Sequence, residues 1–463
     1  MVDIDALREY ALEEVSAHCA EDDAWVIIDE RVYDVTRFLK RHPGGKRPLL
    51  SLAGCDATDA FANYHSPKVY ARMLPGLLIG RTVPGAIAVP KHVQGFRDLR
   101  RDMLRRGLYS PQTGYHVKMC VWYASLLLTS LYLSIACAST WTRMCGAAVM
   151  GLFWQQLAGF GHDLGHSSVT QDFWNDHLIG SCLTALMGLS LSWWKIDHNS
   201  HHVATNSLDR DPNVQHLPVL AITEKIFQKR FYDVYHGRWI AFDKLSRPFI
   251  ARQHIYFYPL MLVARWNLYA QGILHLMFSD EVVHFRKVEA FGIAIFFSWL
   301  FTLAFSMSTH AEALGWLGVS HAVAGILHVQ IVLSHWAFET YFGKPYGDED
   351  DWYLTALKTS QDIRTPAFLD WVHIGLQFQT VHHMFPRLPR RHLRAAQALC
   401  KRVARQHFTA EESLKIFKRA EPYREAGFVE ANVELWRVLR QTATDCTRCA
   451  SASHLFKAVM CEG

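Results

Sequence analysis

VKMCVWYASLLLTSLYLSIACA, residues 117 to 138, is an apolar run whose only charge is Lys118. At 1.5 Å per residue, about 20 apolar residues in a helix cross the roughly 30 Å hydrocarbon core of a bilayer. Five residues, STWTR, separate it from a second apolar stretch at 144 to 160, so the two are predicted to form a tight transmembrane hairpin. A second pair, 288 to 307 and 314 to 334, is joined by STHAEA, a turn without Lys or Arg. The segments 178 to 194 and 255 to 278 are apolar but interrupted, and are expected as membrane-embedded or surface helices instead of full spans. Lys and Arg concentrate in the loop between the pairs and in the regions outside them, which assigns both termini and the middle loop to the cytosolic side.

Composition agrees with a membrane chain. Of 463 residues, 50% are hydrophobic and only 20% charged, a balance too apolar and a length too great for one ordinary soluble core. The formal charge of +5 sits in clusters such as LRRDMLRR (99 to 106) and RLPRRHLR (387 to 394). No aromatic-interleaved nucleic-acid motif accompanies them, so a membrane surface is the expected partner and a nucleic acid is not. The ten cysteines form no repeating framework, and Cys120, Cys137 and Cys145 lie in apolar runs where thiols act as small hydrophobes. DCTRC at 445 to 449 is a CxxC without a second pair, insufficient for a zinc site. The acidic opening, MVDIDALREYALEEVSAHCAEDD, has no apolar signal core and is expected to start in the cytosol.

Residues 1 to 82 read as a small soluble α+β domain, with WVIIDERVYDV as two short strands around an Asp-Glu turn. A linker with a basic amphipathic stretch, expected to lie on the bilayer surface, occupies 83 to 115. An all-α membrane domain of about four transmembrane helices with a cytosolic helical cap covers 116 to 405, and 406 to 463 is left as a cytosolic C-terminal tail.

The histidines carry the chemistry. HDLGH (162 to 166) places His162 and His166 four apart, on one face of a helix one turn apart. HNSHH adds His198, His201 and His202; IVLSHWAFE adds His335; QFQTVHH adds His382 and His383. One such group alone is as well explained by interfacial histidines bonded to carbonyls or water. All four groups, however, fall on the same predicted face of the bilayer. Structural zinc sites close with four ligands, whereas eight imidazoles suffice for two metals with open positions, as oxygen activation requires. Gln379 stands where it can ligate weakly, hold a metal-bound water or orient a ligand from behind. In the soluble domain, HPGG begins at His42 and DATDAFANYH ends at His65, around Leu49, Leu50, Leu52 and Phe61. Two imidazoles facing across an apolar pocket clamp a haem iron on both axes, which favours electron transfer over oxygen binding. The glycines allow the sharp turn that brings His42 to the ring.

The stretch WVIIDERVYDVTRFLKRHPGGKRPLLSLAGCDATDAFANYH resembles a cytochrome b5 domain, in which His42 and His65 match the haem ligands. The remainder, to about residue 405, resembles the membrane lipid desaturases of the front-end group, in which a cytochrome b5 is fused and the third box begins with Gln. That resemblance implies a di-iron site with His162 and His166 from the first box, His198, His201 and His202 from the second, and His382 and His383 from the third. His335 matches by its place after the fourth span. WWKIDHNSHHVATN, DPNVQHLP, ARQHIYFYP and GLQFQTVHHMFPRLPRRHLRAAQ look most like fungal-type sphingolipid Δ8 desaturases. Val381 replaces the Glu of the common QIEHH pattern, a position that is not a ligand in the family.

The resulting expectation is an oxygen-dependent desaturase that introduces a double bond into the long-chain base of a sphingolipid, with Δ8 as the position. Such C–H bonds have no acidic proton, so a metal–oxygen species must open them. Oxygen takes four electrons: two from the substrate, two one at a time through the haem b. An apolar tunnel between the spans is expected to hold the lipid chain. The resemblance further implies two non-haem irons, NADH as the electron source through a cytochrome b5 reductase, and the endoplasmic reticulum membrane. The rivals are a front-end acyl desaturase, a lipid hydroxylase and, from another class, a membrane-tethered haem electron carrier with structural histidines.

Overall fold

The computed structural model describes residues 7–345 and 350–460, with side chains through 448. The first six residues and the Cys449 thiol, which carry part of the expectations about the N-terminus and the CxxC, lie outside the described residues. Cys446, the other member of that pair, is buried in the core.

The N-terminal unit is α+β. Its central hairpin pairs Asp23–Ile28 with Arg31–Asp34, antiparallel, with Val26 opposite Tyr33 and Ile27 opposite Val32. Asp29 and Glu30 turn it with φ of 50° and 60°, the left-handed pair whose twist matches that of flanking strands. Leu78–Thr82 and the short Glu9–Tyr10 and Cys19–Ala20 complete a five-stranded sheet. Short helices at Lys46–Ser51 and Thr58–Tyr64 bring the HPGG and DATDAFANYH segments face to face.

The rest is mainly helical and not all-α as expected: among the described residues it also holds the two-stranded sheets Phe231–Asp233 with Arg238–Ile240 and Asp362–Arg364 with Glu425–Gly427. Among the described residues, three helices are long and apolar enough to cross a membrane: Thr113–Ile135, Arg286–Phe305 and His310–Val332. The fourth expected span is a single helix, Thr140–Gly165, but it falls short of that apolar standard. The physical reason lies in Gln155 and Gln156. Both are buried, and they donate to the Val372 and Trp371 carbonyls at 2.8 and 2.7 Å. This helix packs chiefly on Thr113–Ile135 and His310–Val332. Arg143, near its start, bonds Ser308 at 2.6 Å and Glu312 at 2.8 Å, so the two hairpin turns share one end of the bundle. All four histidine groups lie toward the other end.

Two sequence expectations change. The amphipathic stretch forms the helix Lys91–Arg105, but its apolar stripe, Val93, Phe96, Leu99 and Met103, is buried against the protein and does not face a bilayer. Phe96 stacks on Tyr353 and Phe385 at 5.1 Å each, and the helix packs on Leu393–His407. Residues 406 to 448, part of the expected cytosolic C-terminal tail, pack on the rest of the protein. Glu425–Gly427 pairs in parallel with Asp362–Arg364, and the following helix sinks Leu435 and Leu439 into a core shared with Phe257 and Trp336. The interrupted segment 255 to 278 becomes two helices, Gln253–Val263 and Arg265–Phe278.

Candidate metal centre and haem pocket

The first-box helix, Thr140–Gly165, delivers His162 from its last turn and His166 from its C-cap. The second-box helix, Leu191–Val203, carries His198, His201 and His202 and starts at Ser190, whose hydroxyl accepts from Trp193 N at 3.1 Å. The two helices cross closely, because a Cβ on Gly165 would stand 2.1 Å from the Trp194 ring. The third-box helix, Gln379–Met384, is fully buried and presents His382 and His383. His335 follows the end of His310–Val332.

These side chains meet in two groups. The ligating nitrogens of His162, His166, His198 and His382 all lie within 4.8 Å of one another, as do those of His201, His335 and His383. His202 joins the groups: its ring stacks on His383 with centroids 4.0 Å apart, and its Nε2 stands 3.0 Å from that of His198. Burial, reinforced by the neighbouring imidazoles, holds His166, His198, His202, His382 and His383 well below the usual histidine range and brings His335 down to about 3. These six rings are therefore neutral at pH 7, with lone pairs available.

The second group shows how its lone pairs are aimed. His201 Nδ1–H donates to Asp211 Oδ2 at 2.9 Å, and His335 Nδ1–H donates to the Thr359 carbonyl at 3.1 Å. Thr205 Oγ1 spends its proton on the His201 carbonyl at 2.8 Å, so at 3.1 Å it accepts from His383 Nδ1–H. In all three the Nε2 is left to face inward. Buried nitrogens without a hydrogen-bond partner include His162 Nε2, both of His166, His382 Nε2 and His383 Nε2. Buried polar atoms are otherwise satisfied as a rule, so this donor set fits cations in the middle. Imidazole suits iron, and the number of donors exceeds what one closed tetrahedral site uses. Gln379 is buried with Oε1 3.4 Å from His335 Nε2, on the edge of the second group.

Reading the sequence by histidines missed the carboxylates behind them. Asp211 is wholly buried and also accepts from the Asn206 and Asn213 amides at 2.8 Å each. Asp362 anchors the third-box helix through Thr380 N at 2.9 Å and Gln397 Nε2 at 2.7 Å, and Tyr423 donates to it as well. Arg390 reaches Asp163 at 2.7 Å, tying the basic segment after the third box to the first. The available signal was Asp211 in an Asp-Pro-Asn turn shortly after HNSHH; Asp362 has none.

In the N-terminal unit, His42 and His65 face each other with ring centroids 6.0 Å apart. His42 Nδ1–H donates to Gly45 O at 2.7 Å and His65 Nδ1–H to Phe61 O at 3.1 Å, which again leaves the Nε2 atoms for a metal. They open on a cavity of about 770 Å³ lined by Val26, Val35, Leu49, Leu52, Phe61 and Leu74 among others. That volume and apolar wall fit a haem between the two imidazoles. Gly44 is needed for close approach, since a Cβ there would stand 2.9 Å from the His42 ring. Gly45, at φ +94°, lies against the second-box helix, where a Cβ would stand 2.8 Å from Ile196. Tyr64, covalently next to His65, has its ring 6.3 Å from those of both His166 and His202. The haem pocket and the histidine cluster are thus immediate neighbours.

Comparison with known proteins agrees with this architecture. The fatty acid desaturase family profile matches residues 139–414, and the cytochrome b5-like haem/steroid-binding domain profile matches 11–83. The chain is 37% identical to Delta(8)-fatty-acid desaturase 2 of Arabidopsis thaliana over the full length of both. It is 36% identical to the Delta(8)-fatty-acid desaturase of Helianthus annuus over 95% of this chain and 92% of that one. To a Delta 8-(E)-sphingolipid desaturase of Kluyveromyces lactis it is 36% identical over 66% of this chain and 53% of the other. With two buried histidine groups beside a bis-histidine pocket, and relatives matching along its length, this chain belongs to the fatty acid desaturase family, as an oxidoreductase whose desaturase domain follows a cytochrome b5-like domain.

Proposed function

We propose that the chain introduces a double bond at the Δ8 position of a sphingolipid long-chain base. The observation that carries the reading is the adjacency of seven histidines in two tight groups, bridged by His202, to the His42–His65 pocket. The Δ8 names of the Arabidopsis, sunflower and Kluyveromyces relatives support the position, and the Kluyveromyces name supports the substrate class.

His162, His166, His198 and His382 would hold one iron and His201, His335 and His383 the other, with His202 bridging the two groups. When bound, the irons and the haem supply the oxygen activation and one-electron delivery that an unactivated methylene pair demands. The chain's own residues do the rest. Asp211, Thr205 and the Thr359 carbonyl fix three tautomers so that Nε2 points at metal. Gln379 places its side-chain oxygen at the edge of the second group, where it can ligate weakly. Burial of both groups between the N-terminal unit and the helical cap keeps bulk water from the reacting carbon.

Thr140–Gly165 serves as a fourth span, since it lies between two spanning helices over a length of about 39 Å. We read the chain as units 1–82, 83–115, 116–405 and 406–463, with residues 406–448 packed onto the third. The lysine- and arginine-rich end of the bundle faces the cytosol of the endoplasmic reticulum membrane, where a cytochrome b5 reductase passes on electrons from NADH.

Expression in a yeast lacking Δ8 unsaturation, followed by mass spectrometry of its sphingolipids, tests this reading. A long-chain base two mass units lighter, with the double bond at carbon 8, is the expected result. A hydroxylated base, an unsaturated acyl chain with an unchanged base, or no new lipid would overturn it.

A further inference from the structure

The cavity between His42 and His65 is closed on its far side by the desaturase domain, and that wall carries buried positive charge. Lys195, on the second-box helix, is 6% exposed. Its ammonium lies 4.0 Å over the Phe173 ring, and among the described residues it makes no hydrogen bond or ion pair. Burial pushes it down to about 7; Asp176 opposes that shift and Arg387 adds to it. Arg387, itself buried, bonds Gln171 through Nη2 at 3.0 and 3.2 Å and leaves Nε without a partner.

Arg41, Lys68 and Arg72 also reach the cavity, but they are exposed and hydrated. Among the described residues of the wall, Asp172 is the only carboxylate, and it is engaged in capping the helix Phe173–Cys182 through Trp174 N and Asn175 N. Asp176, the carboxylate that acts on Lys195, is spent on the Val169 and Thr170 amides at 3.0 Å each, so a buried ammonium that no side chain pairs directly calls for an anion inside the cavity. A haem carries two propionate carboxylates, and a guanidinium or ammonium binds a carboxylate through charge-assisted hydrogen bonds.

We propose that Lys195 and Arg387 form the carboxylate-binding end of the haem pocket, so that the desaturase domain itself grips the propionates of the haem clamped by His42 and His65. The inference rests on the haem reading of that histidine pair. It makes the pocket a joint property of two domains. Haem seats fully only when they are docked, along the contact where Asn199 Nδ2 donates to Gly44 O at 3.3 Å and Gly45 meets Ile196. Haem affinity then reports on the geometry that sets the haem beside the histidine cluster.

The test uses the full-length protein stripped of haem and titrated with haemin or with haemin dimethyl ester, whose propionates are neutral, following the Soret band. Wild type is expected to bind haemin about tenfold or more tightly than the ester. Lys195→Met and Arg387→Met are expected to lose most of that preference, with Lys195→Arg restoring it, and to lower the haem reduction potential because a charge favouring the reduced form is gone. Equal affinity of wild type for haemin and ester, which needs no variant to fold, would overturn the proposal, as would an unchanged preference in both Met variants. Absence of any Soret band with haemin would instead overturn the haem reading beneath it.

Discussion

Asp211 sets the tautomer of His201: its Oδ2 accepts from Nδ1–H at 2.9 Å, and the same carboxylate is locked by the amides of Asn206 and Asn213. A histidine ligand whose far nitrogen is held by a fixed carboxylate keeps both its ring orientation and its basicity. Asp211→Asn is therefore expected to lower non-haem iron retention and product formation by about 10- to 100-fold while leaving the haem spectrum unchanged. Iron analysis beside a visible spectrum checks this, and full iron content in the variant would count against it.

The two sites separate by mutation. His201→Ala or His383→Ala removes a donor from the second group and is expected to abolish product with the Soret band intact. His42→Ala or His65→Ala is expected to remove the Soret band and most turnover. Measured together, the four variants decide whether the haem and the histidine cluster do different jobs. Turnover surviving in the first two would contradict a role for the cluster.

Arg390 and Asp163 form a buried pair at 2.7 Å, each side chain 8% exposed. Breaking one side of such a pair leaves a charge without a partner and costs about 3–5 kcal/mol. Arg390→Met alone is expected to destabilise by about that much, and Asp163→Asn in the same chain is expected to recover much of the loss. Thermal unfolding in detergent measures both. Equal stability of the single and wild-type chains would show that the pair holds nothing together.

Gly45 combines φ +94° with contact to Ile196. Gly45→Ala adds backbone strain of about 1–3 kcal/mol, because φ +94° with ψ 152° is a conformation essentially reserved for glycine, and a steric overlap with the second-box helix. Looser docking of the N-terminal unit is the expected outcome, read as slower reoxidation of reduced haem by oxygen and substrate. An unchanged reoxidation rate would argue that the contact is incidental.

Acid sensitivity follows from His65. Burial, with His42 adding, brings its imidazole down to about 3, and His42 is lowered also. The unfolded chain takes up these protons near pH 6.5 and the fold does not, so stability is full above 6.5 and is lost as pH falls toward 3. For His65 this costs about 1.4 kcal/mol per pH unit within that window. The haem-free protein is expected to show a flat Tm above pH 7 and a falling one below about 6.5, with a shallower fall in His65→Leu. The same slope in that variant would contradict the assignment.

Much of this was legible in the sequence because it depends on local spacing. His162 and His166 are one turn apart, HPGG and DATDAFANYH flank one pocket, and WVIIDERVYDV turns at Asp29–Glu30 as a hairpin. Convergence of the boxes followed from counting spans, even though Gln155 and Gln156 keep one of those helices below the apolar standard. What sequence did not disclose depends on contacts between distant segments. The stripe of Lys91–Arg105 has the period of a membrane-surface helix, and only the partner Leu393–His407 decides that protein covers it. Asp362 and Arg390 act through folds of the chain far from their neighbours in sequence. Lys195 reads as an ordinary cation until burial against the haem pocket gives it a task.

The most direct measurement is iron per chain. Full-length protein, purified and assayed for total iron against haem by the pyridine haemochrome method, is expected to hold about two non-haem irons per haem, a ratio that falls in His201→Ala and His383→Ala at constant haem. Total iron equal to haem iron would mean that the eight histidines hold no iron, and would contradict the account at its centre.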